Sequence, residues 1–168
     1  HTGSSIAVEV AATNPDLVDK LILFDCPMPS SESREALLKN PRHFPWEVKA
    51  DGSHLMWHWN FFRGGAPDAS AENMHIAMVA TLEKGPGIFD PHHAVFRYDI
   101  EKRLPLIKSP TLLIECMKSA VHERLEVGKD LIPRCQVKSM KEKIGMFLLE
   151  KPNESAQAIL EFLQNPGV

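Results

Sequence analysis

Two short, unbroken apolar runs limit what this chain can fold into: Leu21-Ile22-Leu23-Phe24 and Pro110-Thr111-Leu112-Leu113-Ile114. A strand with one wet face alternates apolar and polar residues, so a run without alternation belongs to a strand covered on both sides, as parallel strands are. A weaker third copy follows at Cys135-Gln136-Val137-Lys138-Ser139-Met140. Parallel neighbours require a crossover between them, and the intervening sequence supplies helical material each time. The predicted class is α/β, a parallel sheet with helices on its faces.

The helices are read from periodicity and punctuation. Residues 4–13 carry Ile6, Ala7, Val10 and Ala11 at helical spacing, and Asn14-Pro15 stops them, because proline cannot continue a helix and restrains the residue before it. The stretch between Asp25 and Pro110 is too long for a structureless loop inside a compact domain and predicts an inserted helical lobe. Its helices are expected at 31–39, 53–62, 69–84 and 91–101, separated by Gly64-Gly65, Pro67 and Gly85-Pro86-Gly87. Further helices are expected at 120–131 and, with Ala156, Ile159, Leu160 and Leu163 on one face, at 155–163. The expected division is a core of residues 1–28 and 105–168 and a helical cap of residues 29–104.

Charge excludes some partners. Lys and Arg total 19 against 22 Asp and Glu, a formal net charge of −3, and no block of like charges stands out. A nucleic-acid or polybasic membrane role has no electrostatic footing. No apolar stretch reaches bilayer length. Cys26, Cys116 and Cys135 are isolated and odd in number, which fits neither a disulfide framework nor a CxxC metal site. Reduced, partly buried thiols imply a cytoplasmic setting.

Taken in order, the pieces resemble a known family. His1-Thr2-Gly3-Ser4-Ser5-Ile6-Ala7, followed by Asn14-Pro15-Asp16-Leu17-Val18-Asp19-Lys20-Leu21-Ile22-Leu23-Phe24-Asp25, looks like the nucleophile elbow, next helix and next strand of an α/β-hydrolase. Leu104-Pro105-Leu106-Ile107-Lys108-Ser109-Pro110-Thr111-Leu112-Leu113-Ile114 is similar to the approach to that family's penultimate strand. Glu150-Lys151-Pro152 and Ile159-Leu160-Glu161-Phe162-Leu163 resemble its last loop and terminal helix. The resemblance implies the C-terminal two-thirds of a family member, with the earlier strands lying upstream of His1. It also implies an open sheet edge, and with it self-association into a homo-oligomer.

The same resemblance tests the catalytic residues. Gly3 aligned with the second glycine of G-x-S-x-G puts His1 where the serine nucleophile stands, as in a subset of the superfamily whose elbow resembles Gly-His-His-Thr-Gly. The acid that normally follows the penultimate strand is replaced by Ser119, but Asp25, ending the preceding strand, is placed for that role. The alternative for Asp25 is a strand-end residue capping the next turn. The proton-shuttle histidine is absent from Lys143-Ile144-Gly145-Met146-Phe147-Leu148-Leu149, where Gly145 or Met146 takes its place.

His54 and His58, four residues apart on one helix, have metal-ligand spacing, with His75, His92-His93 or Asp51 as further ligands. The glutamate of H-E-x-x-H is missing, since Leu55 follows His54, and polar contacts at a cap surface are the simpler reading. An amine and imidazole of His1 chelating copper ranks lower still. No metal or other cofactor is expected. The implied function is hydrolysis of a small, largely apolar ester, with His1 as base or nucleophile, Asp25 as its orienting acid and the Thr2 N–H as one oxyanion donor. Trp57, Trp59 and Phe61 are the cap residues expected nearest the substrate. The alternative is a catalytically inactive binding or relic domain on the same fold.

Overall fold

The computed structural model describes residues 1–39, 46–116, 124–142 and 144–166. Three strands, β1 (Leu21–Phe24), β2 (Thr111–Glu115) and β3 (Cys135–Ser139), form one parallel sheet in the order β1-β2-β3. Leu21 pairs with Thr111 and Thr111 with Cys135, so all three strands start in line. The central strand β2 is buried from Thr111 to Ile114, and both of its faces must therefore be apolar. β3 lies at an edge and is mostly half-buried, which is why its run tolerates Gln136 and Lys138.

In chain order the helices are α1 (Thr2–Thr13), α2 (Ser31–Lys39), α3 (Ser53–Gly65), α4 (Ala71–Lys84), α5 (Asp90–Arg97), α6 (Leu125–Leu131), α7 (Phe147–Glu150) and α8 (Pro152–Gln164). The sheet separates two cores because alternate strand residues point to opposite faces. Leu21, Leu23 and Leu113 pack with Val8 and Ala11 of α1 and with Ile100, Leu104 and Ile132. Leu112 and Ile114 pack on the other face with Phe147 of α7 and Ala158 and Phe162 of α8. α6 lies flush on β2 at Gly128, where a Cβ would stand 2.6 Å from Met28 Cε and 2.7 Å from Leu113 Cδ1.

Most expected helices are present with shifted ends. The closing helix starts at Pro152, in the first turn where a missing N–H costs nothing. The stretch expected as one helix over 91–101 stops at Arg97 and resumes as a short 3-10 turn at Ile100–Lys102. The first part of the 120–131 expectation lies outside the described residues, and α6 begins at Leu125. In α1 the buried face is Ser4, Ser5, Val8 and Ala11, whereas Ile6 is 62% and Val10 43% exposed. This corrects the face read from Ile6, Ala7, Val10 and Ala11: the apolar residues of α1 are spread around it and small serines share the buried face, so apolar spacing does not choose the side.

The helical stretch between β1 and β2 is tied to the sheet layers at two places. Near α1, the Glu9 carboxylate accepts from the Tyr98 hydroxyl at 2.7 Å and from Arg103 Nε and Nη2 at 2.8 and 3.0 Å. Near α7, Glu150 Oε1 accepts from the Ser70 amide at 2.7 Å and from Asn73 Nδ2 at 2.8 Å, while Ser70 Oγ caps α4 by accepting the Asn73 amide. Among the described residues, no helix is long and apolar enough to cross a membrane.

Candidate functional site

The carboxyl ends of β1 and β2 meet the start of α1. That helix begins directly after His1, whose carbonyl accepts the Ser4 amide at 2.8 Å. The His1 main-chain nitrogen and Ser4 Oγ both donate to the Phe24 carbonyl, the last of β1, which fixes the helix start against the strand end. Thr2 is the first helical residue, and its amide is one of the N-terminal donors without a partner inside the helix.

Asp25 takes the turn out of β1 with φ +42°, a left-handed conformation that aspartate tolerates better than most residues. Its amide prolongs the ladder by donating to the Ile114 carbonyl at 2.9 Å. Its Oδ1 accepts from the Cys116 amide at 2.8 Å, so the carboxylate joins the ends of two strands. His1 and Asp25 line one cleft of about 250 Å³, and Phe24, Cys116, Met146 and Phe147 form much of the remaining wall. That volume suits a small molecule, since drug-sized ligands occupy pockets of about 300–1,000 Å³.

Gly145 and Met146, the two residues expected at the shuttle position of the last loop, have different surroundings. Met146, with φ +59°, lines the cleft, whereas Gly145 packs against Ala66 at the end of α3. Ser119 lies outside the described residues. Burial pushes the Cys26 thiol up to about 12, which keeps it protonated and unreactive at neutral pH.

The three aromatic residues expected near substrate all lie on α3, and none is among the residues lining this cleft. Trp57 remains 38% exposed and stacks on Phe61 with ring centroids 5.5 Å apart. Trp59 is half-buried beside Ala66, Ala69 and Met74, in a cluster that Met146 also joins, and the Arg63 guanidinium lies 5.7 Å from its ring. His54 Nδ1 accepts the Lys49 amide at 3.2 Å. His58 is buried between Trp46 and Trp57, and burial lowers its proton affinity. Among the described residues, no group of three His, Cys, Asp or Glu side chains is arranged to hold a metal ion.

One neighbour of this site was not marked for it by the sequence. α5 brings His92 beside His1, with the ring centroids 6.0 Å apart and the ring planes at 68°. In the sequence His92 is only one of two adjacent histidines offered as metal ligands, and no local spacing signals that α5 returns to His1. Chemically, the assembly offers an imidazole, a carboxylate and a helix N-terminus on a small apolar cleft, with a second imidazole, that of His92, beside the first but outside the cleft lining. Such a set can move protons at a polarised carbonyl.

No protein-family model and no curated protein matches the sequence. Solved structures do match. A thermophilic esterase from Thermogutta terrifontis is 20% identical with a TM-score of 0.69, over 99% of this chain and 63% of its own. A hydrolase from Pseudomonas aeruginosa is 17% identical with a TM-score of 0.67, over 95% of this chain and 61% of its own. A proline iminopeptidase from Mycobacterium smegmatis is 19% identical with a TM-score of 0.61, over 97% of this chain and 62% of its own. The chain thus spans less than two thirds of the length of the structures it matches. At this level of identity the likeness carries the fold and leaves substrate open. The parallel sheet, its flanking helices and these neighbours together show that the chain adopts part of the α/β-hydrolase fold.

Proposed function

We propose that the protein hydrolyses a small, largely apolar ester, with His1 as general base or nucleophile, Asp25 as the acid that orients it and the Thr2 N–H as one oxyanion donor. The observation that carries this reading is the meeting of His1 and Asp25 on one small apolar cleft at the start of a helix. Helix N-termini favour developing negative charge, and an apolar wall strengthens that interaction. Residues 29–104 act as a cap over a core of residues 1–28 and 105–168, with Trp57, Trp59 and Phe61, which stand outside the cleft lining, as the cap residues nearest the substrate. No cofactor takes part.

A second reading has its own support. Met146 rather than a histidine is what the last loop brings to the cleft, and Asp25 already accepts the Cys116 amide. On that reading the protein binds a small molecule without transforming it. Hydrolysis of short-chain p-nitrophenyl esters by the wild type and by His1→Ala decides between them. Loss of a general base lowers kcat by about a hundredfold or more, whereas equal rates for both proteins establish the non-catalytic reading.

A further inference from the structure

Ester hydrolysis requires one proton to be taken from the attacking water and another to be given to the departing alcohol oxygen. His1 can do the first. Of the other residues lining the cleft, Phe24, Met146, Phe147, Leu148 and Leu149 have no proton to give, and the Asp25 carboxylate is an acceptor held by the Cys116 amide. Cys116 carries a proton, but a thiol is ordinarily a weaker acid than an imidazolium. The last loop, which carries the shuttle in the resemblance above, supplies Met146 instead.

His92 brings a second imidazole beside that of His1. Its ring stands edge-on to that of His1, with centroids 6.0 Å apart. Catalytic hydrogen bonds span about 2.6–3.2 Å, so two rings this close can both reach oxygens on one tetrahedral carbon. The position of His92 is also secured. It lies one turn before the buried Val95 on the same side of α5, and α5 packs on both α1 and α2. The helix carrying His92 is therefore docked on the helix that follows His1. His92 is half-buried, with its Nδ1 shielded from water.

We infer that His92 is the general acid of the reaction, protonating the alcohol that leaves while His1 takes the proton of the incoming water; this rests on the hydrolase reading of His1. The water oxygen bonds to the ester carbonyl carbon as its proton passes to His1. The bond from that carbon to the alkoxy oxygen then breaks, and the oxygen leaves with the proton of the His92 imidazolium. The products are a carboxylic acid and an alcohol. Transfer of the proton from His1 to His92 restores the starting state.

Leaving-group dependence tests this, because p-nitrophenolate departs without a proton and an alkoxide does not. The kcat values of wild type, His92→Gln and His92→Ala are measured on the p-nitrophenyl and ethyl esters of one short acid, with circular dichroism to verify folding. A general acid predicts a loss of about a hundredfold or more on the ethyl ester and little change on the p-nitrophenyl ester. His92→Gln preserves a polar side chain of similar size and carries the test if the alanine variant does not fold. Equal losses on both esters, or none on either, overturn the assignment to His92 while leaving the role of His1 standing. A wild type no faster than His1→Ala on the p-nitrophenyl ester overturns the hydrolase reading and the general acid with it.

Discussion

Replacing Gly145 by alanine probes how the last loop docks on α3. A Cβ at this position would overlap the Ala66 Cβ, lie 2.6 Å from Ala66 Cα and stand 2.9 Å from the Gly65 carbonyl oxygen. None of these atoms belongs to a side chain that can rotate away, so the loop or the end of α3 must retreat. Overpacking of this kind costs about 1–3 kcal/mol. Alanine returns about 0.4–1 kcal/mol by restricting the unfolded chain. The net loss expected from these figures is about 1–2 kcal/mol. With a urea m-value of about 2 kcal/mol/M, the unfolding midpoint falls by about 0.5–1 M. Gly64→Ala serves as the control: nothing lies within 4 Å of a Cβ there, and the residue is helical. It should gain about 0.5 kcal/mol. Urea unfolding followed by far-UV circular dichroism measures both, and a Gly145→Ala midpoint equal to or above that of the wild type refutes the docking geometry.

Asp25→Ala removes the acceptor for the Cys116 amide and forces alanine to φ +42°. The expected cost is about 2–4 kcal/mol, whereas Asp25→Asn, which keeps an acceptor and tolerates the left-handed region, loses about 1 kcal/mol. Thermal unfolding of the two variants checks this, and equal losses would sink it. Glu9 gives a pH-dependent prediction. The Tyr98 hydroxyl, Thr13 and Arg103 hold its carboxyl below the ordinary 4.5. A folded value below the unfolded one contributes stability that is complete above pH 4.5 and lost as pH falls through the folded value. The stability gap between wild type and Glu9→Gln should therefore narrow as pH drops from 7 toward the acid range in urea titrations; a gap independent of pH contradicts the assignment.

The parts of the fold legible in the sequence are those decided by near neighbours. Leu21-Phe24 and Thr111-Ile114 announce covered parallel strands because every residue in them must face a core, while edge strand β3 is legible only weakly because half of it meets solvent. Asn14-Pro15 and Pro152 mark helix ends through steric constraints acting over one or two residues. The buried side of α1 was not legible, since its apolar residues are spread around it and only packing against β1 and the Leu104 turn selects Val8 and Ala11.

The site divides along the same line. His1 and Asp25 stand at the ends of elements whose order the sequence displays, so their nomination required only a chain of strand, turn and helix. The presence of Met146 on the cleft, the burial of His58 between two tryptophans and the approach of His92 to His1 depend on where α3 and α5 come to rest. By itself the sequence determined an α/β chain with a histidine at the start of its first helix, because periodicity, breakers and strand patterning act locally. Tertiary structure alone decided which side chains meet around that histidine, because contacts between residues far apart in the chain arise from packing and leave no local pattern to read.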